Sequence, residues 1–135
     1  IDTADCVSYR HFETVLPYIR EFYVDLKCPD ESSYRRYTGG SLKIVLDNLR
    51  RLSDAEAAIT IRIPIIPHIN CRRMANYLNG IAIKEIHLLP FHKLGSSKYK
   101  ALGLDYSYSK YPAYSPENLV PLLDSFQPYP VSIAG

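Results

Sequence analysis

No stretch of this 135-residue chain is long and apolar enough to cross a membrane. The longest nearly apolar run, Ile61 to Pro67, contains Arg62 and falls far short of the roughly 20 residues a span requires. The opening residues lack the basic, apolar and small-residue succession of a secretory leader. There is no run of five to eight basic residues, and 16 Lys plus Arg against 14 Asp plus Glu leave a formal charge of only +2. That balance supplies no nucleic-acid footprint. Only three cysteines occur, Cys6, Cys28 and Cys71, separated by 22 and 43 positions. An odd, widely spaced set argues against a disulfide framework and favours a reducing, cytoplasmic setting. No H-x-x-x-H or C-x-x-C spacing offers a zinc site, and no G-x-x-x-x-G-K-[ST] or G-x-G-x-x-G string offers a phosphate loop. An initiating Met is also missing: the chain begins Ile1-Asp2-Thr3, so the expectation is either a trimmed start or a start inside a larger protein.

What is present is ordinary for a folded, soluble domain. Hydrophobic residues make up 47% and charged residues 22%, which excludes disordered, collagen-like and coiled-coil classes. A chain of this length buries about two-thirds of its unfolded surface without disulfides. Apolar runs at Phe22–Lys27, Ala58–Ile66, Ile83–Pro90 and Tyr129–Ile133 read as strands, and Ile1 reads as the tail of another. Between them, His11–Phe22 carries one apolar stripe with Pro17 as a kink or stop. Ser41–Leu52 places Leu42, Val45, Leu46 and Leu49 on one face and Lys43, Asp47, Asn48 and Arg51 on the other. Met74–Leu78 and Pro116–Phe126 are shorter helical candidates, the second with Ser115 as N-cap and Pro116 at the first helical position. Strands alternating with helices predict an α/β fold with a parallel sheet and right-handed crossovers.

In such folds function gathers beyond the carboxyl ends of the strands. Asp2 and Thr3, Asp25 and Lys27, and His92 occupy such positions. Asp25 and Lys27, two apart on one strand, share a face; they fit either an internal ion pair or a grip on a zwitterionic or anionic ligand. Arg62, between Ile61 and Ile63, lies where a barrel would bury both faces. It needs a partner, which Asp25 or an incoming carboxylate would supply. His92 fits either a ligand contact or a hydrogen-bonded structural role, while His68, in a turn after Pro67, and His87, within a strand, have less to recommend them. Tyr34 to Gly40 reads as a helix end and turn. The tyrosines at 106, 108, 111 and 114 suit a recognition surface or an ordinary aromatic loop.

Several strings, taken in order, resemble one family. They are D-T at Asp2–Thr3, V-D-L-K at Val24–Lys27, Y-T-G at Tyr37–Gly39, L-x-N-L-R at Leu46–Arg50, I-R-I-P-x-I-P at Ile61–Pro67, and E-I-H-L-L-P-F-H-K-L-G-x-x-K-Y-x-x-L-G at Glu85–Gly103. Together they resemble the glycyl-radical-enzyme activating enzymes of the radical S-adenosylmethionine superfamily. The resemblance implies a partial, TIM-like (β/α) barrel of parallel strands carrying a 4Fe-4S cluster and S-adenosylmethionine. Reductive cleavage of the latter gives a 5′-deoxyadenosyl radical that takes a hydrogen from a glycine of a partner such as pyruvate formate-lyase, with flavodoxin or ferredoxin as reductant.

By position, the resemblance implies that Lys27, Arg62, Ile63 and His92 line S-adenosylmethionine. It further implies that Asp2, Thr3 and Asp25 hold a monovalent cation beside it. The family's C-x-x-x-C-x-x-C cluster motif and its Gly-Gly-Glu are not in this chain, and Cys6, Cys28 and Cys71 have the wrong spacing. Asp5 and Cys6 replace the usual asparagine or glycine after D-T. The stretch His68–Arg72, including Asn70 and Cys71, is shorter than the family's turn and helix start, through either a deletion or missing residues. The implied unit, residues 1–135, is the C-terminal half of a barrel, with no iron-sulfur ligands and no catalytic residue of its own, inactive alone and prone to self-association. The alternatives are a radical S-adenosylmethionine enzyme with a small-molecule substrate and a cluster-free half-barrel that binds or scaffolds.

Overall fold

The computed structural model describes residues 1–69 and 71–134; Asn70 lies outside the described residues. Five strands form one all-parallel sheet in chain order: β1 (Asp2–Thr3), β2 (Glu21–Asp25), β3 (Ala58–Pro64), β4 (Glu85–Leu89) and β5 (Val131–Ile133). Sequential parallel order distinguishes this sheet from a doubly wound one, whose strand order reverses part-way. When every crossover has the same hand and direction, all the connecting helices fall on one side of the sheet. The burial pattern agrees. Phe22, Val24, Ile59, Ile61, Ile63, Ile86 and Leu88, the alternate residues facing one side, are completely buried. The other side carries Asp2, Tyr23, Asp25, Thr60, Arg62, Glu85 and His87, brought into rows by the register. The α/β class and the parallel, barrel-like order are those expected from the sequence.

The helices follow from local signals. Helix α1 (Arg10–Val15) gives way to a 3-10 turn at Leu16–Tyr18, because Pro17 has no N–H to continue the ladder. The amphipathic stripe is therefore shorter than its spacing predicts, and β2 begins already at Glu21. Helix α2 (Glu31–Thr38) starts at Asp30, whose carboxylate accepts from the Ser33 N–H at 2.8 Å, and stops at Gly39, where φ is +72°. Helix α3 (Leu42–Asp54) starts at Ser41, which accepts from the Ile44 N–H at 3.4 Å, and buries Leu42, Val45, Leu46, Leu49 and Leu52. Asn48, which the helical pattern places on the solvated face, is instead buried. Its Nδ2 donates to the carbonyls of Asp5 and Val7, both at 2.8 Å, tying α3 to the turn after β1.

Cys71–Leu78 and Pro116–Phe126 are runs of 3-10 turns rather than α-helix, the second interrupted by Pro121. Helix α4 (Ser96–Ala101) buries none of its residues. Among the described residues no helix is long and apolar enough to cross a membrane.

Candidate functional site

At the carboxyl end of the sheet, β2 and β3 pair Asp25 opposite Arg62, and β1 brings Asp2 alongside. The Arg62 guanidinium is the hub. Its Nε donates to Asp25 Oδ1 at 2.8 Å and its Nη2 lies 2.7 Å from the same oxygen. Its Nη1 donates to Asp2 Oδ2 at 2.7 Å and its Nη2 to Asp2 Oδ1. Burial opposes its charge, but the hydrogen bonds and charges of Asp25 and Asp2 outweigh burial and hold its pKa above the ordinary value. Arg62 thus has the Asp25 partner expected of it and a second carboxylate besides. Its side chain is 23% exposed, so the polar side of the sheet is half-open, not sealed as a closed barrel would make it. The rest of that side is also polar: Glu21 accepts from Thr60 Oγ1 at 2.6 Å and from Lys84 Nζ at 3.0 Å, and His87 Nε2 lies 3.1 Å from Glu85 Oε1.

Lys27, just past β2, links this network to a cavity. Its ammonium is 3.7 Å from Asp25 Oδ2, longer than a good charge-assisted hydrogen bond, and its side chain also lines a half-open cavity of about 560 Å³ beyond the strand ends. The other walls are Cys28, Tyr37 and Thr38 from the β2 side, Ile66 to Ile69 after β3, and Tyr99, Tyr108, Lys110 and Tyr111 after β4. No Asp or Glu lines it among the described residues. His68, at φ +67°, sets its ring edge-on to Tyr111 at 5.0 Å, and Tyr111 continues to Tyr108 at 5.9 Å and Phe91 beyond. Lys93 Nζ donates to the Ser109 carbonyl at 2.7 Å and pins the tyrosine loop. The concave, aromatic and cationic lining suits an anionic or zwitterionic ligand with a planar ring system.

The expected site residues divide. Asp2, Asp25, Arg62 and Lys27 come together. His92 is exposed and outside the cavity wall, with its Nδ1 accepting from the Leu94 N–H at 3.4 Å. Ile63 is fully buried, and the strand alternation turns its side chain to the helix side, so only its backbone reaches the polar side. Thr3 is registered with Val24, on the helix side, and its Oγ1 accepts from the Asp5 N–H at 3.0 Å. A monovalent cation does not fit among Asp2, Thr3 and Asp25: the Arg62 guanidinium already holds Asp2 and Asp25, and Thr3 turns away. His68, which the sequence ranked below His92, and Tyr37 and Tyr99, which it did not propose as site residues, line the cavity. The one available signal was that His68 follows the end of a strand.

All three cysteines are free thiols. Cys28 and Cys71 are buried, and burial raises both thiol pKa values. Cys6 Sγ accepts from the Ser41 N–H at 3.2 Å. Among the described residues no group of three or more His, Cys, Asp or Glu side chains is placed to hold a metal ion.

No family model matches the chain. A 4-hydroxyphenylacetate decarboxylase activating enzyme from Clostridioides difficile (strain CD196) is 32% identical over 133 residues, covering 93% of this chain and 42% of that protein. An indoleacetate decarboxylase activating enzyme from Tractidigestivibacter scatoligenes is 35% identical over 75% of this chain and 34% of its own length. A trans-4-hydroxy-L-proline dehydratase activating enzyme from Clostridioides difficile is 33% identical over 82% and 37%. The chain thus spans well under half the length of these relatives. The solved structure of a domain of pyruvate-formate lyase-activating enzyme from Bacteroides vulgatus ATCC 8482 shares the fold, with a TM-score of 0.76 over 99% of this chain and 79% of that one at 21% identity. The homology runs along nearly the whole sequence and the fold agrees with it, and so the chain belongs to the glycyl-radical-enzyme activating enzymes.

Proposed function

We propose that residues 1–135 are the C-terminal half of the barrel of such an activating enzyme and that the cavity beyond the strand ends receives S-adenosylmethionine. The observation that carries this reading is Lys27, which reaches from the Asp2–Arg62–Asp25 network into an aromatic cavity that no carboxylate lines among the described residues. In the whole protein, S-adenosylmethionine and a 4Fe-4S cluster held by the other half would supply the radical chemistry for removing a hydrogen from a glycine of a partner glycyl radical enzyme. A pyruvate formate-lyase-like partner, a flavodoxin or ferredoxin reductant and a cytoplasmic setting belong to the same proposal.

This chain's part is binding and orientation. The Lys27 ammonium attracts a carboxylate, and Arg62 fixes Asp25 and so the field around Lys27. The rings of His68, Tyr108 and Tyr111 offer faces for a purine and exclude water. The Ile63 backbone lies along the same strand end, and the family resemblance assigns the exposed His92 to the ribose and adenine. Isothermal titration of S-adenosylmethionine into the whole, cluster-loaded protein tests the assignment. Lys27→Ala should weaken binding by about tenfold or more while iron content stays constant, with a smaller loss for His92→Ala. Unaltered affinity in Lys27→Ala would refute the site.

A further inference from the structure

The strand-end carboxylates have a resident positive charge that is covalent. We infer that Arg62 takes the place of a bound metal cation between Asp2 and Asp25, so that this end of the sheet keeps its geometry without any monovalent ion. Two carboxylates on neighbouring strands repel unless a cation stands between them. Here three of their four oxygens, Asp2 Oδ1, Asp2 Oδ2 and Asp25 Oδ1, are held by one guanidinium, and the fourth, Asp25 Oδ2, faces Lys27 at 3.7 Å. A hard cation would need several oxygens converging on one point. The remaining candidate, Thr3 Oγ1, belongs to the residue registered with Val24 on the helix side of the sheet, away from Asp2 and Asp25, where it accepts from the Asp5 N–H.

Arginine suits this place better than lysine. Its planar fork holds Asp2 through two parallel bonds while Nε turns to Asp25, and its charge does not titrate in the physiological range. Arg62 is on this account a positioning residue: it fixes Asp25, and through it the neighbourhood of Lys27, by its own charge. The inference concerns three side chains and stands apart from the identity of the ligand in the adjoining cavity.

Thermal unfolding of the full chain in potassium, sodium or choline chloride at equal ionic strength tests it, choline being too large to enter between the carboxylates. The unaltered protein should melt at the same temperature in all three. Arg62→Ala should melt lower in choline by about 5 °C or more, and potassium or sodium should recover part of that loss by filling the vacated place, a rescue that a merely structural arginine would not show. Arg62→Lys should lose less and show little cation dependence. Equal melting of Arg62→Ala in all three salts would overturn the inference. So would a potassium or sodium gain in the unaltered protein that disappears in Asp25→Asn. If Arg62→Ala does not fold, sodium-23 line widths decide: equal broadening by the unaltered protein and Asp25→Asn supports the inference, and greater broadening by the unaltered protein overturns it.

Discussion

Asp5 is the least comfortable residue in the molecule. It has no exposed surface, its backbone stands at φ +58°, and neither carboxyl oxygen has a hydrogen-bond partner among the described residues. Positive φ is where asparagine and glycine are at ease, a conformational reason for the asparagine or glycine that the family resemblance implies here. Burial alone raises the Asp5 pKa from 3.8 to about 8, because an unpaired carboxylate is costly away from water. The folded form therefore keeps a proton that the unfolded chain releases. Stability from this source is complete below the unfolded pKa and is lost as pH rises from about 4 to about 8, by up to about 1.4 kcal/mol per pH unit within that window. Urea unfolding across the range should show this decline, and Asp5→Asn, which cannot ionise, should flatten it. A stability that rises with pH in the unaltered chain and is unmoved by the substitution would contradict the assignment.

At the scale of elements, Asn48 shows how a side chain joins two pieces of structure that periodicity treats separately. It fixes α3 to the turn after β1 through two buried acceptors, and the Asp5 turn itself sits under those bonds. Asn48→Ala removes both donors at once and strands two carbonyls, so it should cost about 2 kcal/mol, read as a lowered denaturation midpoint with an unchanged slope. The strands were legible to within two or three residues because continuous β-branched runs mean burial on a sheet, and Ser41, Ser115 and Pro17 marked helix limits through their chemistry. Helix α2 was only half legible: E-S-S-Y-R-R-Y-T has no apolar stripe, and of its residues only Tyr34 is buried. Helix α4 offers no burial signal at all. In the site, the shared face of Asp25 and Lys27 and the need of Arg62 for a partner follow from strand alternation. The Asp2 contact depends on β1–β2 register, and the meeting of His68 with Tyr111 depends on two loops that lie 43 positions apart in the sequence. No local pattern encodes either.

At the scale of the molecule, the sheet is covered on one side only. Its two edges, β1 and β5, each have a neighbour on one side, and its polar side is charged and half-open. Short edges beside charged rows are poor templates for strand addition, so the edges contribute less to association than a half-barrel outline suggests. The α4 segment adds apolar exposure of its own: Leu94 is 78% exposed, Leu102 72% and Leu104 57%, all flanking α4, with Tyr99 between them in sequence. Four exposed apolar side chains within eleven residues favour contact with another surface. The chain by itself should therefore self-associate as its concentration rises, and the association should run through the α4 segment more than through the sheet edges. Sedimentation velocity should show a concentration-dependent rise in mean mass. Leu94→Ser combined with Leu102→Ser should weaken the association several-fold while leaving the melting temperature of the dilute protein within about a degree, since neither side chain contributes to the core. A monodisperse monomer across the concentration range would sink the expectation. Association that survives the double substitution undiminished would return the contact to the open edges of β1 and β5.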